Sequence, residues 1–156
     1  MDQLTNALKQ FQANTVIFGH LIQGFYWNTE SVLMRQSRII YEEMYTDTFN
    51  SLNEVSNWLR RLGSEAPYTI EEFSYHQTLG DVKPNTYCGL EMAQHLIPIN
   101  NKMIEDIRVL AELSFIKKEH GLYNFISKRL EQHQTWAWQL NSILKLPPNP
   151  WKSLKD

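Results

Sequence analysis

From residue 4 onward, apolar side chains recur in steps of four and three: Leu4, Leu8, Phe11, Thr15, Phe18, Ile22 and Phe25. That spacing lines one face of a helix and predicts a helix over Asp2–Asn28. The second half is apolar on the opposite side too, through Val16, Ile17, Leu21 and Trp27, with His20 among them. A second apolar face is expected to be buried against a surface outside the local bundle, such as another subunit. Asn28-Thr29-Glu30-Ser31 reads as a turn, with Ser31 as the N-cap of a second helix. That helix is predicted from Val32 to Leu62. Its core row is Met34, Tyr41, Tyr45, Thr48, Leu52, Val55, Leu59 and Leu62. About 31 residues at 1.5 Å each would span roughly 46 Å. Gly63 suits the C′ position, where a left-handed turn ends a helix.

The pattern breaks from Ser64 to Thr86, punctuated by Pro67, Gly80 and Pro84. Within it Thr69-Ile-Glu-Glu is a capping box, Thr69 and Glu72 being the reciprocal pair, and Ile70 to Leu79 reads as a short helix. Such a long connection makes sense if helices two and three run parallel, so that the chain must travel back along the bundle. The third long helix is predicted over Gly89–Glu119, with Ala93, Leu96, Ile97, Met103, Ile104, Ile107, Leu110 and Ala111 inward. Pro98 inside it should kink it or delay its start. The fourth is predicted over Leu122–Lys145, with Leu122, Ile126, Arg129, Leu130, His133, Ala137, Leu140 and Leu144 as its row. Leu146-Pro-Pro-Asn-Pro stops it, and Trp151 is expected to anchor a short tail. Strand signals, internal repeats and low-complexity runs are absent. The fold class is therefore all-α: one domain over residues 1–156, a four-helix bundle of the ferritin-like kind with a short extra helix in its crossover.

Composition narrows the classes of function. With 42% apolar and 21% charged residues in 156, the chain is neither disordered nor membrane-embedded. It has no apolar run approaching ~18 residues and no N-terminal secretory pattern. A lone cysteine, Cys88, fits a reducing cytoplasm. Net charge is −2 and the isoelectric point about 6.2. The termini hold only Lys9, Lys145, Lys152 and Lys155. Arg60-Arg61, Lys117-Lys118 and Lys128-Arg129 read as solvated pairs. This charge pattern argues against a DNA-compacting protein, because phosphate attraction dominates such binding.

Candidate chemistry is sparse. Ferritin-like bundles often hold two metals through Glu residues and a Glu-x-x-His pair, and this chain has no Glu-x-x-His. Glu91 and His95 share a face, but Glu91, His95, Pro98, Lys102, Glu105 and Val109 form a row opposite the core, expected to be solvated. His20 reads as an interface or buried histidine rather than a metal ligand. His133 falls on the core row and is expected to be hydrogen-bonded there. His76 and His120 lie in connections. No nucleophile–base spacing or phosphate-binding glycine loop is present, and the tryptophans and tyrosines are expected to serve packing and interfaces.

Two stretches nevertheless resemble a known family. Phe25-Tyr26-Trp27-Asn28, with a long helix after it that ends Leu59-Arg60-Arg61-Leu62-Gly63, resembles the Dps proteins, the mini-ferritins. So does Arg129-Leu130-Glu131-Gln132-His133-Gln134-Thr135-Trp136-Ala137-Trp138-Gln139-Leu140, in its placing of His, Ala and Trp. Chain length and the mid-chain crossover agree. The resemblance implies a homo-oligomer, a hollow dodecamer that oxidises iron(II), usually with peroxide, and stores ferric mineral. It also implies a ferroxidase centre between subunits at a two-fold interface. The ligands there are a His just before the hinge Trp, a second His twelve positions on, and an Asp and a Glu four apart late in helix two.

At those places this chain carries Tyr26, Arg38, Asn53 and Asn57, and only Glu42 keeps an accessory acid. Iron prefers carboxylate and imidazole, whereas Asn is a neutral, weak ligand and Arg a permanent cation. The ferroxidase centre is thus expected to be degenerate, and Tyr26, Glu42 and His20 are the metal-ligand candidates that remain. Arg38 and Glu42, four apart, are expected to pair on the helix surface, and Trp27 and Arg38 to lie in the interface. The family's three-fold pores are lined by acids near the start of the last helix. Here Glu119 is succeeded by Asn124 and Lys128, a weaker field for cations. The expectation is a Dps-like cage without the usual ferroxidase centre, retaining residual iron binding or a protective role; the residues leave an enzymatic activity open while leaning against it, and any such activity would be iron(II) oxidation by a ferroxidase. Two alternatives stand beside it. One is an active iron-oxidising mini-ferritin with ligands relocated among Tyr26, His20, Glu42, His95 and His133. The other is a DNA-protecting starvation protein.

Overall fold

The computed structural model of the chain describes residues 2–80 and 83–145. Six helices succeed one another there: α1 (Asp2–Asn28), α2 (Met34–Asn50), α3 (Leu52–Arg61), α4 (Ile70–His76), α5 (Gly89–Ile116) and α6 (His120–Ile143). α1, the α2–α3 pair, α5 and α6 are the four long members of a bundle, and α4 is the short helix of the crossover.

The periodic apolar rows become the core. Leu4, Leu8, Phe11, Phe18, Ile22 and Phe25 of α1 meet Tyr41, Met44, Val55 and Leu59 of α2–α3. Met92, Leu96, Met103, Ile107 and Leu110 of α5 and Leu122, Ile126, Trp136 and Leu140 of α6 complete it. Both ends show that α2–α3 and α5 run parallel. At one end Gly89 lies so close to Ser37 that a Cβ there would collide with its hydroxyl. The Tyr41 hydroxyl, its pKa raised chiefly by burial, donates to the Gly89 carbonyl. At the other end Gly121, just past α5, takes the Trp58 ring, which a Cβ would meet at 2.7 Å. The crossover is therefore needed to return the chain to the starting end.

Of the helix starts from α2 to α6 only that of α4 has a side-chain cap, and several boundaries differ from the sequence expectation. Ser31 is not the N-cap of α2. It adopts φ 97°, Val32 is fully exposed, and Leu33 caps the helix without a side-chain bond. The turn is held instead by the crossover, where the Glu30 amide donates to the Tyr87 carbonyl at 2.6 Å. The long second helix is interrupted at Ser51, whose hydroxyl donates to the Thr48 carbonyl at 2.7 Å while its dihedrals stay helical. Gly63 takes φ 80°, as a C′ glycine should. The Thr69–Glu72 capping box forms as expected, and the backbone amides of Tyr68 and Thr69 hold the Glu72 carboxyl below its ordinary pKa. That helix ends at His76 rather than Leu79. α5 starts at Gly89 and runs through Pro98, so the proline does not delay it. α5 stops at Ile116, before Lys118 turns left-handed at φ 61°. α6 then begins at His120 and ends at Ile143. Met34 is half-exposed rather than core, and Trp136, not Ala137, fills the α6 row. The Pro-rich stop and Trp151 lie outside the described residues.

Polar side chains of α1 pin the crossover. The Gln12 amide donates to Ser56 Oγ at 2.8 Å and to the Pro67 carbonyl at 3.2 Å. Asn14 donates to Thr78 Oγ1 at 3.0 Å and accepts from the Thr78 amide at 2.8 Å.

Candidate functional site

The flank where α1 meets α2 brings together more of the expected site residues than any other described part of the chain. The Arg38 guanidinium lies over the Tyr26 ring, 4.2 Å from its centroid. Tyr26 stands edge-on to Tyr45 at 5.5 Å, Tyr45 contacts Phe49 at 6.2 Å, and His20 stands edge-on to Phe49 at 5.2 Å. The result is a continuous ladder from Arg38 to His20. The ladder closes because Gly19 leaves room for Phe49; a Cβ there would meet the ring at 2.7 Å. Spacing explains the rest: 38, 45 and 49 step by seven and four along one helix flank, and Tyr26 and His20 lie along the facing helix.

The expected ion pair between Arg38 and Glu42 is not formed. Among the described residues the ion pairs are Lys102–Asp106, Arg108–Glu105 and Arg129–Asp47. Arg38 takes the aromatic face instead, and its Nε is buried without an acceptor. Stacking a weakly hydrated guanidinium on a ring competes well with an exposed pair. Glu42 stays in solvent. The Tyr45 hydroxyl is pushed above its ordinary pKa by desolvation and then by the charge of Glu42. Asn53 and Asn57 are exposed further along the same flank. As donors, this set offers a phenol, one free carboxylate and neutral amides around a cation, a poor match to what iron prefers.

The other candidates are dispersed. His20 is exposed rather than buried, and Val16 is buried within the same chain. The crossover itself partly covers the second face of α1. His20, Leu21 and Gly24 line a cleft of about 340 Å³ whose opposite wall includes Lys83 and Tyr87. Trp27 remains 67% exposed. Glu91, His95, Pro98, Lys102, Glu105 and Val109 are all exposed, as expected of a solvated row. Glu119 sits half-buried at the start of α6 without capping it by a side chain. Asn124 is exposed, and Lys128 borders a cleft toward Asp47 and Glu54 of α2–α3. Among the described residues, no three His, Cys, Asp or Glu side chains converge to hold a metal ion.

His133 is the hydrogen-bonded core histidine that its register implies. Its Nδ1 lies 2.8 Å from Asn100 Oδ1, and the Asn100 amide donates to the His133 carbonyl at 2.9 Å. Phe18 and Trp136 flank the ring. Burial, then the charge of Arg129, holds the imidazole well below its ordinary pKa. Sequence reasoning missed Arg129–Asp47, a 2.7 Å pair whose arginine is 8% exposed. The two residues are 82 positions apart, beyond any local spacing rule.

Known proteins share this geometry. The ferritin-like domain family matches residues 5–148. This chain belongs to that family. Dps from Thermosynechococcus elongatus superposes with a TM-score of 0.89 at 19% identity, covering 94% of this chain and 93% of that one. The DPS protein of Vibrio cholerae O1, described as a member of a broad superfamily of ferritin-like diiron-carboxylate proteins, superposes at 0.86 with 21% identity, covering 92% and 90%. In sequence, an uncharacterized low temperature-induced protein of Nostoc sp. is 21% identical over 144 residues, spanning 92% of this chain and 80% of that protein. The fold is thus that of the Dps proteins. No helix of the described residues is long and apolar enough to cross a membrane.

Proposed function

We propose that this chain builds a closed homo-oligomeric shell of ferritin-like subunits, a dodecamer by resemblance, in which the iron-oxidising centre has been replaced by an aromatic and hydrogen-bonding patch. One observation carries this reading. At the position where the resemblance puts an imidazole ligand stands Arg38, with its guanidinium on the ring of Tyr26, itself in place of the other imidazole. A fixed positive charge at that point opposes a pair of ferrous ions directly. The acids of the family's site are the amides Asn53 and Asn57, which bring no compensating negative charge. These residues do not fit a two-iron centre, and no oxidation step is derived through one.

Supply of iron to such a centre would be weakened as well. Asn124 and Lys128 stand where the family's pore acids are expected, so the potential that concentrates cations is reduced. What is retained is the scaffold: the bundle, the crossover and a flank rich in aromatic surface. A protective shell uses those features without requiring turnover. The name of the Nostoc relative, low temperature-induced, accords with a role under stress.

The test measures particle mass by light scattering and iron(II) oxidation with peroxide by absorbance on the same preparation. The expected outcome is a multi-subunit particle that oxidises iron no faster than buffer. Fast oxidation abolished by Tyr26→Phe or Glu42→Ala would show a working centre and sink this reading. A monomeric mass would remove the shell.

A further inference from the structure

The chain has six glycines, and all but Gly24 have a visible structural reason. Gly63 and Gly80 take φ 80° and 77°. Gly19, Gly89 and Gly121 each admit a neighbour that a Cβ would strike: Phe49, Ser37 and Trp58. Gly24 lies inside α1, and a Cβ there would meet nothing within 4 Å. Glycine is less favourable than alanine inside a helix, and no packing contact accounts for it here.

What Gly24 borders is the cleft of about 340 Å³ between α1 and the crossover, within the size range of small-molecule sites. Its α1 wall runs from His20 to Asn28, about 12 Å of helix. Its other wall includes residues 83–87. The crossover is clamped to α1 at two places, Thr78 by Asn14 and the Tyr87 carbonyl by the Glu30 amide. Between them Pro84 is buried. The Thr86 hydroxyl accepts from the Cys88 amide at 3.1 Å and donates to Glu91. The cleft is thus preformed by the fold of one chain.

Its lining divides into two kinds. Buried Phe25, Pro84 and Met92, with half-buried Leu21, give an apolar floor around the bare backbone of Gly24. The polar rim carries donors, among them Lys83, the imidazole of His20 and the carboxamide of Asn85. With histidine neutral, Lys83 holds the one formal charge among the described residues of the lining, and no acid stands among them. A flat ring fits a floor that lacks a side chain at its middle. One exposed ammonium beside neutral donors matches a single negative charge at the edge of that ring.

We propose that this cleft is a binding site for a small aromatic carboxylate, with the ring over Gly24 and the carboxylate against Lys83. The site does not depend on the shell reading, because every residue in it comes from one chain.

The test titrates the full chain with naphthoate and follows binding by saturation-transfer NMR. Saturable binding is expected, with a dissociation constant of about 1 mM or tighter, the scale for a ligand of that size. Gly24→Ala should weaken it about tenfold, as one carbon added to a fitted pocket does. The same variant should raise the urea midpoint, because alanine is the better helix former and has room. Gly24→Leu, which fills the cleft, should abolish binding. Lys83→Gln should weaken naphthoate up to about fivefold, the scale of an exposed charge contact, and leave the neutral naphthalenemethanol unchanged. No saturable binding, or binding indifferent to both Gly24 variants, overturns the site. Naphthoate affinity unmoved by Lys83→Gln, or an equal loss for the alcohol, overturns the carboxylate as its ligand.

Discussion

The bundle centre around His133 and the flank around Arg38 each hold a cationic or titratable ring-stacked group, and they treat it in opposite ways. His133 is closed off. Asn100 satisfies its Nδ1 and its carbonyl, Phe18 and Trp136 cover its ring, and the surroundings keep it neutral. Arg38 is stacked on Tyr26, and its buried Nε has no acceptor among the described residues. The first arrangement is complete in one subunit and serves stability. The second leaves a buried donor without a partner among the described residues. Arg129 lies between these cases, with one hydrogen bond to Asp47 and both Nε and Nη2 buried without partners.

The contrast is sharpest where aromatic packing is removed. Phe18→Ala deletes a fully buried ring from the centre and is expected to cost about 3–5 kcal/mol. Urea unfolding at fixed protein concentration reads it. A loss under ~1 kcal/mol, the range of conservative core swaps, would mean that the centre is not tightly packed.

The next effect is pH dependence. His133 in the folded chain refuses a proton that an unfolded histidine takes up below its ordinary pKa of 6.5. Unfolding therefore binds a proton in that range. Stability from this group is fully present above about pH 6.5 and falls as pH drops toward the lowered folded value, by up to about 1.4 kcal/mol per pH unit. Denaturation at pH 7.5 and 5.5 should show it, and His133→Gln should flatten the slope. Identical slopes in the two proteins would contradict a neutral buried imidazole.

Asn100→Ala leaves both groups of His133 without their partner and is expected to cost about 1–3 kcal/mol. At the flank, Arg38→Ala should change the unfolding free energy of one subunit by only about 1 kcal/mol, the scale of a half-buried cation–π contact. If Arg38→Ala destabilised the subunit as much as Asn100→Ala, the flank would be a second structural centre rather than a half-exposed patch.

The apolar periodicity of this chain, by itself, determined the four long helices, the core rows and the need for a crossover, because helical burial repeats every three to four residues and so is written locally. The capping box at Thr69–Glu72, the left-handed Gly63 and the hydrogen-bonded His133 were legible for the same reason. The hinge Trp27-Asn28 also set the register by which Tyr26, Arg38, Asn53 and Asn57 fall where the resemblance implies imidazole and acid ligands. Tertiary structure alone decided what Arg38 does. Spacing offered Glu42 four residues away, while α1 brought the Tyr26 ring within 4.2 Å, and a partly desolvated ring outcompetes an exposed carboxylate. It also decided the start of α2. Ser31 has the chemistry of an N-cap, but the clamp of Glu30 on Tyr87 forces the turn to open first. Pairings such as Arg129 with Asp47 and Glu30 with Tyr87 join residues far apart in the chain, and no local pattern encodes which distant surface a helix face will meet.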